Sequence, residues 1–183
     1  MNPMRPTAAL LLCVALPACV GVSSTRVPES TRFRSITAPA DIAAVYSSKD
    51  DHTGGGSGDM MYSMFGTYSF SRTPDSVRFR SRPPADLVCE ALSGGSVVAT
   101  RELVQGRDFR IAGGALHLKA SKPKGVAAKD FLKVETRSTV IRLTDSGDAV
   151  VTQRHSQAAM AFFVFPAAIM DTDDALFRRI GAP

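Results

Sequence analysis

The chain has 183 residues, 44% hydrophobic and 21% charged, which suits one domain with a sizeable core and is too short for two comfortable ones. Its net charge of +5 is mild and spread along the sequence, as on an ordinary solvated basic surface. Tryptophan is absent and aromatics are only 7%, so there is little material for an aromatic ligand cage or a base-stacking platform, and no nucleic-acid partner is expected.

Met1 to Arg5 is short and carries one arginine, Ala8 to Leu16 is almost wholly apolar, and Pro17 and Ala18 precede Cys19. That is the charged start, apolar middle and small-residue exit of an export signal. The apolar run falls well short of the ~20 residues that span a bilayer. The nearest other apolar run, "AMAFFVFPAAIM" at 159–170, is short and interrupted by Pro166. An ordinary signal site wants small residues at −3 and −1, and cleavage after Ala18 puts bulky Leu16 at −3.

Leu16-Pro17-Ala18-Cys19 instead resembles the lipobox of bacterial lipoproteins in three of four positions. Pro17 is the departure, where Ala, Ser or Thr is usual. The resemblance is confined to the signal region and implies a specific chemistry. Residues 1–18 are a signal peptide that is removed, the Cys19 sulfur carries a diacylglycerol thioether, and the new α-amine is acylated. Sulfur is required as the nucleophile that accepts the lipid. One chain anchors only marginally at about 0.8 kcal/mol per buried CH₂, whereas two or three hold the protein to membrane lipid. Val20 follows Cys19 where Asp would signal retention. By resemblance to enterobacterial sorting, that implies the bacterial outer membrane, facing the periplasm.

Of the three cysteines, Cys13 is then lost with the signal and Cys19 is acylated. Cys89 remains alone in the apolar stretch "DLVCEAL" and reads as a buried, inert thiol. The competing account leaves Cys19 free to pair with Cys89.

Residues 19–39 are rich in Ser, Thr, Arg and Pro and read as a flexible tether, up to ~60 Å if fully extended. Residues 40–183 read as a β-rich globular domain. It begins with a strand or helical turn at 40–49 and a glycine-rich loop at 50–59. Period-two patterning predicts strands at 60–70, 76–81, 86–93, 96–104, 108–112, 115–120, 131–143, 148–155 and 159–165. In "DFRIAGGALHLK", a two-residue turn at Gly113-Gly114 sets Ile111 opposite Leu116 and Phe109 opposite Leu118 on one face. The other face pairs Arg110 with His117 and Asp108 with Lys119. "LSGGSV" and "TDSGDA" read as two further hairpin turns, and 119–130 as a Lys-rich loop. The end of the chain predicts a short helix, capped by Asp171 or Thr172, with Arg178 and Arg179 in its last turn and Gly181 as the stop. Leu176, Phe177 and Ile180 would dock it. The expected fold is mainly β, a single antiparallel sandwich or barrel-like domain with a short C-terminal helix. It resembles the small β-rich envelope lipoproteins of Gram-negative bacteria, a resemblance that brings no activity with it.

Motifs for chemistry fail in turn. "GGGSGD" lacks the last glycine of a nucleophile elbow and the G-K-[ST] of a phosphate loop. His52, His117 and His155 share no ligand spacing, and "DTDD" at 171–174 lacks the glycine and the final Glu of a calcium loop. No metal, cofactor or catalytic residue is expected, and the protein reads as a non-enzyme. Two candidate interaction patches remain. Arg78, Arg80 and Arg82 alternate with Val77 and Phe79, giving one arginine face that is either solvated or open to lipid head groups or an acidic partner. Phe162, Phe163 and Phe165 form a run that is either a strand buried on both sides or an exposed apolar wall. The functional expectation is an anchored envelope lipoprotein with a non-catalytic binding or assembly role, partnering another envelope protein. The alternative is a lipocalin-like carrier or sensor of a small apolar ligand, which needs an enclosed apolar cavity above ~300 Å³.

Overall fold

The computed structural model describes residues 19–25, 27–49, 60–66, 69–83, 86–119, 126–128, 131–161 and 165–183. The expected signal peptide (residues 1–18), the expected glycine-rich loop, the middle of the expected Lys-rich loop, and Phe162 and Phe163 lie outside the described residues.

In chain order come β1 (Cys19–Thr25), β2 (Phe33–Arg34), a 3-10 turn (Pro39–Ile42), β3 (Ala44–Ser47) and α1 (Met60–Phe65). Then follow β4 (Ser76–Arg82), β5 (Asp86–Ser93), β6 (Ser96–Leu103), β7 (Phe109–Ala112), β8 (Ala115–Leu118) and β9 (Val126–Ala128). Three long strands come next, β10 (Phe131–Thr144), β11 (Ala149–Ala161) and β12 (Phe165–Phe177), and β13 (Arg179–Gly181) closes the chain. They build two sheets. The eight-stranded sheet runs β1-β12-β11-β10-β8-β7, with β2 and β9 also on β10, and the five-stranded sheet runs β13-β3-β4-β5-β6. Pairing between these strands is antiparallel except for β1 on β12, which is parallel. The sheets do not close into a barrel, so of the two expected architectures the open two-sheet form is the one observed.

Turn chemistry explains the hairpins. Gly113 and Gly114 adopt φ of +58° and +74°, the left-handed pair that a primed two-residue turn requires. The register is the expected one, Phe109 on Leu118, Arg110 on His117 and Ile111 on Leu116. At its open end the Lys119 N–H donates to the Asp108 carbonyl at 2.8 Å. Gly94-Gly95 and Gly147 turn the β5–β6 and β10–β11 hairpins, as "LSGGSV" and "TDSGDA" suggest.

The core lies on the period-two faces of both sheets. Tyr46, Phe79, Leu87 and Cys89 come from the five-stranded sheet, and Phe109, Leu116, Ile141, Leu143 and Phe177 from the other, all fully buried. Tyr46 meets Phe79 edge-on, with ring centroids 5.8 Å apart at 73°. Its hydroxyl donates to the Ile42 carbonyl at 3.1 Å, which satisfies the one polar atom that this ring buries.

Three expectations are corrected or redrawn. The predicted C-terminal helix is absent: residues 171–177 are the second half of β12, and β13 follows. A lone helix of that length is marginal in water, whereas the strand completes a 13-residue ladder on β11. Its period-two burial shows in Ala175 and Phe177. The strand predicted at 60–70 contains α1 instead, because Met60, Met61 and Met64 form one buried helical face. At the other end of the domain, Cys19–Thr25 of the expected tether is a strand, β1, lying along β12.

Candidate functional site

Because strand residues alternate, burying Ile141 and Leu143 turns Ser138, Val140 and Arg142 of β10 to the opposite face of the eight-stranded sheet. The same alternation brings Arg110 and Ala112 of β7, His117 of β8, Thr152 and Arg154 of β11, and Thr172 and Asp174 of β12 to that face. Together with Lys119 these residues line a groove of about 820 Å³. It crosses five strands, so no single segment of sequence contains it.

The groove is cationic. Arg110, Lys119, Arg142 and Arg154 stand against one carboxylate, Asp174. Arg110, Lys119 and Arg154 are exposed, while Arg142 is half-buried. The Arg142 guanidinium lies 4.2 Å over the Phe33 ring, which β2 brings to the edge of β10. Its Nη2 also reaches the Thr152 hydroxyl at 3.4 Å. His117 Nε2 sits 3.1 Å from the Ala112 carbonyl, and Lys119 Nζ donates to the Gly106 carbonyl. Asp174 Oδ1 is buried with no hydrogen-bond partner, so the floor holds an acceptor with unused capacity. Chemically, the guanidinium forks offer donors to an anionic group, and Asp174 offers an acceptor beside them.

Geometry does not assemble an acid–base pair here. His117 and Asp174 share a row, through Val140 and Thr152, but three strand spacings of ~4.8 Å put them about 14 Å apart. Among the described residues there is no cluster of three or more His, Cys, Asp or Glu suited to a metal ion.

The residues singled out by sequence fall elsewhere. Arg78, Arg80 and Arg82 do share one face of β4, with Val77 and Phe79 fully buried on the other. The arginines are committed, however. Arg78 Nε and Nη2 both lie 2.7 Å from Glu90 Oε2, Arg80 pairs with Glu90 Oε1, and Arg82 Nη1 meets Glu102 Oε1 at 2.7 Å. Glu90, only 4% exposed, sits between its two partners. Phe165 opens β12 opposite Ala161. Cys19 opens β1 opposite Ala168. Cys89 is free and fully buried, and burial pushes its thiol far above the usual range, as an inert thiol requires. The groove itself escaped the sequence reading. Its signal was present as polar residues at alternate positions 138/142, 152/154 and 172/174, but only the strand order shows that they adjoin.

No protein-family model, curated protein or solved structure matches the chain. Among the described residues no helix is long and apolar enough to cross a membrane.

Proposed function

We propose that the protein is an outer-membrane lipoprotein, held by acylated Cys19 and facing the periplasm, whose domain is a non-catalytic docking module. Its groove takes an acidic segment of another envelope protein. The lipobox-like "LPAC" supports the anchor. The observation that carries the docking role is the gathering of four cations and one unpartnered acceptor oxygen in a single groove. An open, cationic, hydroxyl-lined trough suits an extended acidic chain better than a small apolar molecule, which prefers an enclosed apolar cavity. The carrier alternative drew on a barrel interior, and the two sheets do not close into a barrel.

Two measurements test this reading. Mass spectrometry of the membrane-extracted protein should find the N-terminus at Cys19 with diacylglycerol and acyl groups, and an unmodified Cys19 would remove the anchor. For the groove, a labelled glutamate-rich peptide is titrated into soluble Cys19→Ser protein. Binding should weaken with added salt and fall about tenfold in Arg142→Gln/Arg154→Gln, since two solvent-screened charge contacts at ~0.7 kcal/mol each amount to ~1.4 kcal/mol. Equal affinity of the double variant, or equal binding of a neutral peptide, would overturn the docking role.

A further inference from the structure

The three long strands carry an abrupt change of composition along their length. Near the groove their rows are polar, such as Arg137–His155–Asp171 and Ser138–Arg154–Thr172. Beyond Glu135 and Gln157 they become almost wholly apolar. β11 ends in "AAMA" (158–161), β12 opens in "FPAA" (165–168), β10 opens in "FLKV" (131–134), and β9 adds "VAA" (126–128). Lys133 is the one charge in these stretches. The alternation of polar and apolar residues seen along the other strands is missing here, where consecutive positions are apolar in sequence. At the other end of the strands the rows Ile141–Val151–Ala175 and Leu143–Ala149–Phe177 are buried in the core, so the polar rows separate the core from this second apolar stretch.

The parallel register of β1 sets Cys19 in this same region. Cys19 lies opposite Ala168, in the row Val134–Ala158–Ala168. It therefore stands on the apolar side of the apolar-to-polar boundary. The end row Phe131–Ala161–Phe165 is three residues further on, about 10 Å at ~3.3 Å per residue.

From this juxtaposition we infer that the distal end of the β10–β11–β12 arm is seated in the membrane, entering the leaflet that holds the Cys19 acyl chains. The inference rests on acylation of Cys19. A reach of ~10 Å stays within one leaflet of a ~30 Å hydrocarbon core, so the tip dips and does not span. The edge chemistry agrees. Pro166 carries no backbone N–H, which removes one donor at this end of β12. Unpaired backbone groups are costly in the hydrocarbon centre, so a shallow seat suits this end better than a deep one. The occupant of this apolar end is thus the lipid surface to which Cys19 is already attached.

The test uses the purified lipidated protein on phosphatidylethanolamine/phosphatidylglycerol vesicles. An environment-sensitive fluorophore is placed on Ala161→Cys, with Ala112→Cys in the β7–β8 hairpin as the control. Cys89 is buried and stays unlabelled in the folded protein. The Ala161 label should shift to the blue and lose at least half its emission to lipids brominated along the acyl chains, while the Ala112 label keeps its aqueous spectrum. A vesicle-bound protein whose Ala161 label stays aqueous would overturn the tip and leave the anchor standing. A blue shift that appears without vesicles and disappears on dilution would show the tip buried against a second copy, which also overturns it. The anchor is read separately from Cys19→Ser, whose unchanged co-flotation with vesicles would refute acylation as the source of attachment.

Discussion

Removing the Arg78 guanidinium should destabilise the protein far more than removing that of Arg80, although the two flank the same carboxylate. Glu90 has a side chain only 5% exposed, against 27% for Arg78 and 52% for Arg80. Arg78→Met keeps most of the stem that packs on the sheet and removes two nitrogens from Oε2, leaving the buried carboxylate to its half-exposed second partner. Stripping one partner from a fully buried pair costs about 3–5 kcal/mol. With Arg80 still on Oε1, roughly half of that, about 2 kcal/mol, is expected. Arg80→Met should cost under about 1 kcal/mol, as for a solvent-screened pair. The double variant Arg78→Met/Glu90→Leu removes the stranded charge and should return to within about 1 kcal/mol of the parent. The assay is urea unfolding of soluble Cys19→Ser protein. At a slope of about 2 kcal/mol/M, Arg78→Met should lower the midpoint by about 1 M with the slope unchanged. Equal losses for Arg78→Met and Arg80→Met, or no recovery in the double variant, would refute the picture of a desolvated carboxylate held by one dominant partner.

Tyr46 predicts a loss of stability in strong alkali. Burial pushes its phenol up to about 12, above an unfolded value near 10, so between these pH values the unfolded chain releases a proton that the folded one keeps. Stability present below pH 10 is then lost as pH rises toward 12, by up to about 3 kcal/mol, and Tyr46→Phe should abolish that part of the slope. Identical pH slopes for parent and variant would refute it. The β7–β8 turn gives a paired prediction. A Cβ at Gly113 meets nothing within 4 Å, whereas one at Gly114 lies 3.0 Å from Ser35 Oγ and 3.4 Å from Ser35 Cα. Asparagine tolerates positive φ, so Gly113→Asn should be near neutral and Gly114→Asn should cost about 1–2 kcal/mol more, or several degrees in Tm. Thermal melts of the two variants side by side would check this, with equal Tm values counting against it.

Local chemistry made much of the fold legible. The Gly113-Gly114 hairpin could be read residue by residue because two glycines and a strict alternation over four residues on each side leave one register. Met60–Phe65 and the C-terminal segment were not legible in this way. Short apolar runs satisfy both periods, and what decided them was contact with distant strands. The arginine face of β4 was visible as alternation, but its ion pairing depends on Glu90 of β5 and Glu102 of β6, which only the pairing register supplies. The groove was least accessible, since each of its strands contributes no more than two or three ordinary polar residues.

The parallel pairing of β1 has a mechanical consequence for a chain acylated at Cys19. A free coil of twenty residues would let the domain wander over roughly 25 Å from its attachment point. Seven of those residues are instead laid along β12, so the first stretch above the membrane is a strut. Thr172 and Asp174 of the groove lie opposite Ser23 and Thr25, four and six residues beyond Cys19, or about 13–20 Å at the strand rise. Under the proposed acylation the groove would be held at a set height above the bilayer. A partner presenting an acidic segment in that shell would then meet it at high local concentration, and one carrying it further out would not reach it.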